Sequence, residues 1–247
     1  MCGISGIYST SENQSYVEKL LNLSLDKLTH RGPDARGIKK VQTNKGDLLS
    51  APDTYMEKIA IGTNLPKNLL DLDNGVEKNI KILADAKNKK ITEINACVMK
   101  RPRHDKIIKS LNNLGVKINY ITDGDIAGVL SVIGEKPVND IYYSTGGGPE
   151  GVLAAAALSC YGGQIQGRLV LNDEEKIRAK KLGIKDFDKK YNIDDMIKGD
   201  VIFCATGVTD GMLTKGVKDL GNEFEVTTFA LHKSKKINKI TTSIYNK

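Results

Sequence analysis

Ile141-Tyr-Tyr-Ser-Thr-Gly-Gly-Gly-Pro-Glu-Gly151, followed by the apolar run 152–160, decides the fold class of this chain. The β-favouring residues at its start predict the end of a buried strand. Gly146, Gly147 and Gly148 predict a loop open to backbone conformations other residues avoid, and to close approach by a ligand. Pro149 suits the first turn of a helix and Glu150 its positive end. The Val-Leu-Ala-Ala-Ala-Ala-Leu run that follows is a strong helix former, apolar on most faces, and predicts a buried helix. Strand, glycine loop and helix N-terminus together make a site for an anion, with one carboxylate at its mouth able to hold a cation. The same stretch also fits a tight β-to-α connection that binds nothing.

Working outward, the pattern alternates. Strands are expected at 55–61, 96–100, 117–121, 140–144 and 164–171, and helices at 76–87, 105–114, 126–133 and 174–182. Gly115 is a C-cap signal after the second of these helices. The run 201–205 reads as a last parallel-type strand and 227–240 as a terminal hairpin. Before this section, residues 3–8 read as a strand, 12–28 as an amphipathic helix and 30–34 as a loop. Alternation of this kind predicts a layered α/β sheet, here with a short strand-helix N-terminal appendage.

The core implied is aliphatic, since the chain has no Trp and only 4 Phe among 247 residues. No run approaches the length of a membrane span, and no N-terminal segment resembles a signal peptide. The 4 cysteines are widely spaced and form no metal-type pair; they read as reduced, structural residues of a cytoplasmic protein. A net charge of +7 raises nucleic acid as a partner. Its lysines are scattered without interleaved aromatics, however, so a solvated surface or a small phosphorylated ligand is the expectation, with no nucleic acid and no membrane partner.

Polar clusters follow four expected strand ends: Arg101-Pro-Arg-His104, Asp123-Gly-Asp125, the glycine loop, and Thr206-Gly-Val-Thr-Asp-Gly211. Ligands of open α/β sheets bind in the crevice beyond the carboxyl ends of strands, so the convergence predicts a site there. Arg101 and Arg103 flank Pro102, which stiffens their loop, and two guanidinium forks on a stiff loop suit phosphate; a plain pair of surface arginines is the alternative. Asp123 and Asp125, separated by Gly124, can accept bonds from sugar hydroxyls, hold a metal, or simply cap the helix that follows. His104 is equally a helix-start residue or a catalyst.

These motifs, with Ala51-Pro-Asp-Thr-Tyr-Met-Glu-Lys-Ile-Ala60, Gly147-Gly-Pro-Glu-Gly-Val-Leu-Ala-Ala-Ala156 and Gln166-Gly-Arg-Leu169, resemble the class II fructose-1,6-bisphosphatases from about residue 46 onward. Those enzymes are gluconeogenic sugar phosphatases of the lithium-sensitive phosphatase superfamily. The resemblance implies that Tyr55, Arg101, Pro102, Arg103, Asp123, Gly124, Asp125 and Gly147 line a sugar-bisphosphate site. It further implies that Glu150 ligates a catalytic Mn²⁺ or Mg²⁺, in a protein that can be a homo-oligomer. The family's carboxylate-rich N-terminal portion has no counterpart in this sequence, so activity is expected to be impaired, with a non-catalytic sugar-phosphate-binding remnant as the alternative.

Residues 1–38 instead resemble the start of class II glutamine amidotransferases of the asparagine synthetase type, through Met1-Cys-Gly-Ile-Ser-Gly-Ile-Tyr8 and His30-Arg-Gly-Pro-Asp34. That resemblance implies a nucleophilic Cys2, an alternative reading of the chain as a glutamine hydrolase. The domains expected are therefore 1–40, amidotransferase-like, and 45–247, bisphosphatase-like, joined as if two truncated genes had met.

Overall fold

The computed structural model describes residues 39–43, 48–207, 210–211 and 214–246. The segment resembling an amidotransferase, Cys2 included, lies outside them. The described residues divide into two compact units, one within 43–201 with 233–236, the other within 39–42, 202–232 and 237–246.

In the first unit the strands are β2 (Tyr55–Ile61), β3 (Asn95–Met99), β4 (Lys117–Ile121), β5 (Ile141–Gly147), β6 (Gln164–Val170) and β7 (Lys190–Asn192), and in the second β1 (Lys39–Thr43), β8 (Val201–Thr206), β9 (Lys218–Asp219), β10 (Glu223–His232) and β11 (Ile237–Asn246). Among the described residues the helices, all in the first unit, are α1 (Gly75–Ala86), α2 (Asp105–Asn113), α3 (Asp125–Leu130), α4 (Gly148–Tyr161), α5 (Asp173–Lys181) and α6 (Ile193–Met196).

The sheet of the first unit runs β4-β3-β5-β2-β6-β7. β3 is parallel to both β4 and β5, whereas β2 is antiparallel to β5 and β6. The carboxyl ends of β3, β4 and β5 therefore meet the amino end of β2 on one rim, where Tyr55 pairs with Gly147 and with Val170. Strand side chains alternate between faces. Ile59 and Ile61 of β2 join Ala96, Val98, Ile141 and Tyr143 in a core closed by Ile80 and Leu83 of α1 and Leu111 of α2. Met56 and Lys58 face the other way, under α3 and α4. There Gly151 of α4 packs on Met56 and Gly128 of α3 packs on Tyr142. Helices thus cover both faces, the layered α/β arrangement expected from the alternation.

α4 is buried over nearly its whole length, as its composition predicts, and ends where Gly162 turns left-handed (φ 83°) and caps Leu158. Two expectations need correction. No loop separates strand from helix at the three glycines: Gly146 and Gly147 finish β5 and Gly148 starts α4. None of the three has positive φ. Their lack of a side chain serves close packing instead, since a Cβ on Gly146 would overlap the Asp125 carboxylate and one on Gly147 the Glu150 carboxylate. The run 201–205 is not a parallel-type strand either. β8 pairs antiparallel with β10 in the second unit's sheet, and Val201, Phe203 and Ala205 are buried while Ile202 is exposed, the alternation of a strand with one solvated face. The hairpin β10–β11 is longer than expected, pairing from Glu223 to Asn246.

Gly128 is a test of the packing beneath the rim. Alanine is intrinsically better than glycine in a helix by about 1 kcal/mol. A Cβ here, though, would stand 2.6 Å from Ile121 Cδ1 and 2.7 Å from the Tyr142 ring, and overpacking of this kind costs about 1–3 kcal/mol. Gly128→Ala is expected to lower the urea midpoint with the slope unchanged; a raised midpoint would mean that the ring and Ile121 yield freely.

Candidate functional site

The rim is set by β-sheet register, and its chemistry comes from the residues just past each strand end. After β3, Arg101 is extended and Pro102 opens a 3₁₀ turn, Pro102–His104, that leads into α2. Proline needs no N–H partner at that first turn, which explains its place there. Arg103 Nε donates to the Thr145 carbonyl of β5 at 2.9 Å, and its guanidinium lies 4.7 Å from the Tyr55 ring centroid. Arg103 and Tyr55 are both exposed, so a cation is held over an aromatic ring at the water boundary.

His104, next in the chain, is buried. Thr145 N–H donates to its Nε2 at 2.8 Å, which leaves the ring hydrogen on Nδ1, donating to the Met99 carbonyl at 2.7 Å. Both ring nitrogens thus tie β3 to β5, and of the two roles open to His104 in the sequence the geometry is that of a structural pin. Burial pushes its pKa down, against the pull of those backbone bonds.

After β4, Asp123 is exposed and accepts from the Gly124 N–H at 2.8 Å, while Gly124 (φ 85°) turns the chain into α3. Asp125 points inward. Its Oδ2 is paired with the Lys58 ammonium and its Oδ1 accepts from the Tyr142 hydroxyl. Lys58 Nζ also donates to the Gly147 carbonyl at 2.8 Å. Lys58 is fully buried, and desolvation pushes its pKa down against the attraction of Asp125. Burial, reinforced by the same carboxylate, raises the Tyr142 phenol well above its usual value and keeps it a donor.

The structure therefore brings Tyr55, Arg103, Asp125, Gly147 and Glu150 into one connected neighbourhood. Arg101, Pro102, Asp123 and Gly124 stand on the same rim; Arg101 is exposed, with a 3.4 Å bond to the Lys100 carbonyl. The fourth polar cluster follows β8 in the other unit. Lys58, Tyr142 and Thr145 do not stand out in the sequence, although a signal exists for one of them. Alternation in Tyr-Met-Glu-Lys-Ile-Ala puts Lys58 on the face of Met56 and Ala60, where an unpaired lysine does not belong. A cavity of about 430 Å³ lies at the opposite end of the same strands, lined by Ile61, Gln164, Gln166, Asn192 and Lys233 among others, and none of the predicted site residues borders it.

Among the described residues, no three His, Cys, Asp or Glu side chains converge on a point that could hold a metal ion. Glu150 is one carboxylate, and Asp125 has both oxygens engaged. Mg²⁺ and similar ions need about six oxygens around them, so these residues do not by themselves fit a divalent ion. Cys97 and Cys160 are free thiols. Burial pushes Cys97 and Cys160 up to about 11, unlike reactive cysteines. No helix among the described residues is long and apolar enough to cross a membrane.

Fold and rim together define a layered α/β protein of the phosphatase type, with arginines, carboxylates and a helix start at the ends of its strands. Residues 38–245 match the family model described as bacterial fructose-1,6-bisphosphatase, glpX-encoded, and the chain belongs to that class II family. It is 37% identical over 218 residues to the fructose-1,6-bisphosphatase class 2 of Haemophilus influenzae, covering 81% of this chain and 65% of that one. It is 33% identical over 219 residues to a D-fructose 1,6-bisphosphatase class 2/sedoheptulose 1,7-bisphosphatase of Synechococcus, covering 83% of this chain and 63% of the relative. The chain thus spans a little under two thirds of the length of these relatives. The family match begins at residue 38.

The His104 pin carries a pH signature. Its folded pKa lies below the 6.5 of the unfolded chain. Below 6.5 the unfolded state therefore takes up a proton that the folded state resists, so this contribution is whole above pH 6.5 and is lost as the pH falls from there toward the folded value. His104→Gln is expected to cost about 1–3 kcal/mol at pH 7.5. At pH 5.5 the gap between variant and wild type should shrink in urea denaturation; a gap that widens would place the imidazolium, not the neutral ring, in the folded state.

Proposed function

We propose that this chain binds a sugar bisphosphate at the rim above Lys58, and that it is a fructose-1,6-bisphosphatase-type phosphomonoester hydrolase whose turnover is severely impaired. The observation that carries the reading is Arg103, fixed between the Thr145 carbonyl and the Tyr55 ring, beside the strand end that becomes α4. One N–H is spent on the scaffold, and the rest of an exposed guanidinium fork is left for a phosphate, where two parallel N–H bonds suit its oxygens. The N-terminus of a buried 14-residue helix adds favourable potential for the anion. Gly147, without a side chain, lets the Glu150 carboxylate lie against the strand end at the mouth of the site.

In this reading Arg101 is a second guanidinium for phosphate, stiffened by Pro102, and Asp123, turned outward by Gly124, accepts from sugar hydroxyls. Asp125 works from below, holding the loop. Glu150 is the one candidate ligand for Mn²⁺ or Mg²⁺ among these residues. A single carboxylate neither encloses such an ion nor positions an attacking water, so binding should survive here better than hydrolysis. The substrates in the names of the relatives, fructose 1,6-bisphosphate and sedoheptulose 1,7-bisphosphate, are the ligands to try first.

Calorimetry with fructose 1,6-bisphosphate, with and without Mn²⁺, tests the proposal. Binding is expected in both conditions, and Arg103→Ala should weaken it by about 10- to 100-fold, the worth of a charge-assisted bond. A phosphate-release assay should show turnover far below about 1 s⁻¹, the low end for ordinary enzymes. Absence of binding would overturn the site, and ordinary turnover would overturn the impairment.

A further inference from the structure

The carboxyl ends of β4 and β5 are not neighbours in the sheet, because β3 lies between them. Something other than strand pairing must therefore hold the acidic loop after β4 at a set distance from the glycine end of β5. The Tyr142 hydroxyl on Asp125 and the packing of Gly146 against that carboxylate hold the loop to β5, and one further atom bonds to both segments. Lys58 Nζ, on β2, donates at once to the Asp125 carboxylate at the start of α3 and to the Gly147 carbonyl at the end of β5. We infer that Lys58 is a positioning residue for the sugar-bisphosphate site, an internal bridge that holds Asp123 and Gly124 in register with Gly147, Gly148 and Glu150. The inference rests on the sugar-bisphosphate reading above.

Three observations support a positioning role over direct contact with a ligand. Lys58 has no exposed surface, so it cannot touch one. The groups it joins are the acidic loop that the reading assigns to the sugar and the glycine end that carries Glu150, while Arg103 is anchored separately by Thr145 and Tyr55. The glycines around it leave little slack: Gly146 lies on the Asp125 carboxylate, and a Cβ on Gly151 would stand 3.1 Å from Lys58 Cδ. A buried ammonium is also a poor choice for stability alone, since well-packed apolar residues often do as well or better.

The bridge predicts a split between ligands. Inorganic phosphate, held by Arg103, should be insensitive to Lys58, and fructose 1,6-bisphosphate, which also needs the acidic loop and the glycine end, should be sensitive. Asp125→Asn removes the carboxylate charge yet keeps an oxygen for Lys58 to reach. Adding Lys58→Met to it removes the bridge without leaving a buried carboxylate unpaired. By calorimetry, the double variant should bind fructose 1,6-bisphosphate about tenfold or more weaker than Asp125→Asn, the usual effect of losing a supporting partner. Its phosphate affinity should change by no more than about twofold, as for independent sites. Equal bisphosphate affinity in the two variants overturns the inference, and so does a parallel loss for both ligands, which would mark Lys58 as merely structural.

Should the double variant fail to fold, amide exchange in the wild type decides. Fructose 1,6-bisphosphate should protect segments 123–126 and 145–148 together, and protection of one without the other overturns the bridge. Wild-type protein that binds phosphate but no bisphosphate would instead defeat the underlying site reading, and the inference with it.

Discussion

A lysine ammonium sunk beneath a helix loses its hydration, and a carboxylate placed beside it loses its own. Neither is tolerable alone, so the residues around Lys58 and Asp125 are arranged to keep the two together. Tyr142 contributes a hydroxyl to the second carboxylate oxygen, the Gly147 carbonyl takes another ammonium hydrogen, and Gly128, Gly146 and Gly151 make room for them. Much of the rim derives from this requirement. The inward turn of Asp125 leaves Asp123 on the outside, and the absence of side chains at Gly146 and Gly147 lets β5 run straight into α4.

The arginine side of the rim is organised on different terms. Here the organising group is neutral, the His104 imidazole, which sews β3 to β5 through backbone groups of Met99 and Thr145. Arg103 donates to the carbonyl of the same Thr145 and leans on Tyr55. Two sets of bonds, one centred on a buried ion pair and one on a buried neutral ring, thus present their products to the same strand ends. Membership of the class II fructose-1,6-bisphosphatases gives that convergence a chemical context.

Much of this was legible from residue order. The alternation of apolar strands and amphipathic helices announced the layers, and Gly115 and Pro149 marked element ends through local backbone restrictions that do not depend on distant partners. The glycine triplet misled in one respect, because the same residue type serves loops and close packing alike, and only the neighbouring carboxylates tell them apart. The strand at 201–205 misled as well. A short apolar run looks the same whether both of its faces are buried or one, and only its pairing with β10 gave its direction and its sheet.

From its letters alone the chain determined which segments become strands and helices, and that arginines, carboxylates and glycines follow strand ends, since backbone propensity and side-chain period are local properties. Tertiary structure alone decided which carboxylate faces water and which faces Lys58, that His104 pins rather than reacts, and that β3 separates the two segments one ammonium joins. Those outcomes depend on strand order and on the cost of burying charge, quantities that arise only when residues far apart in the chain share one desolvated space.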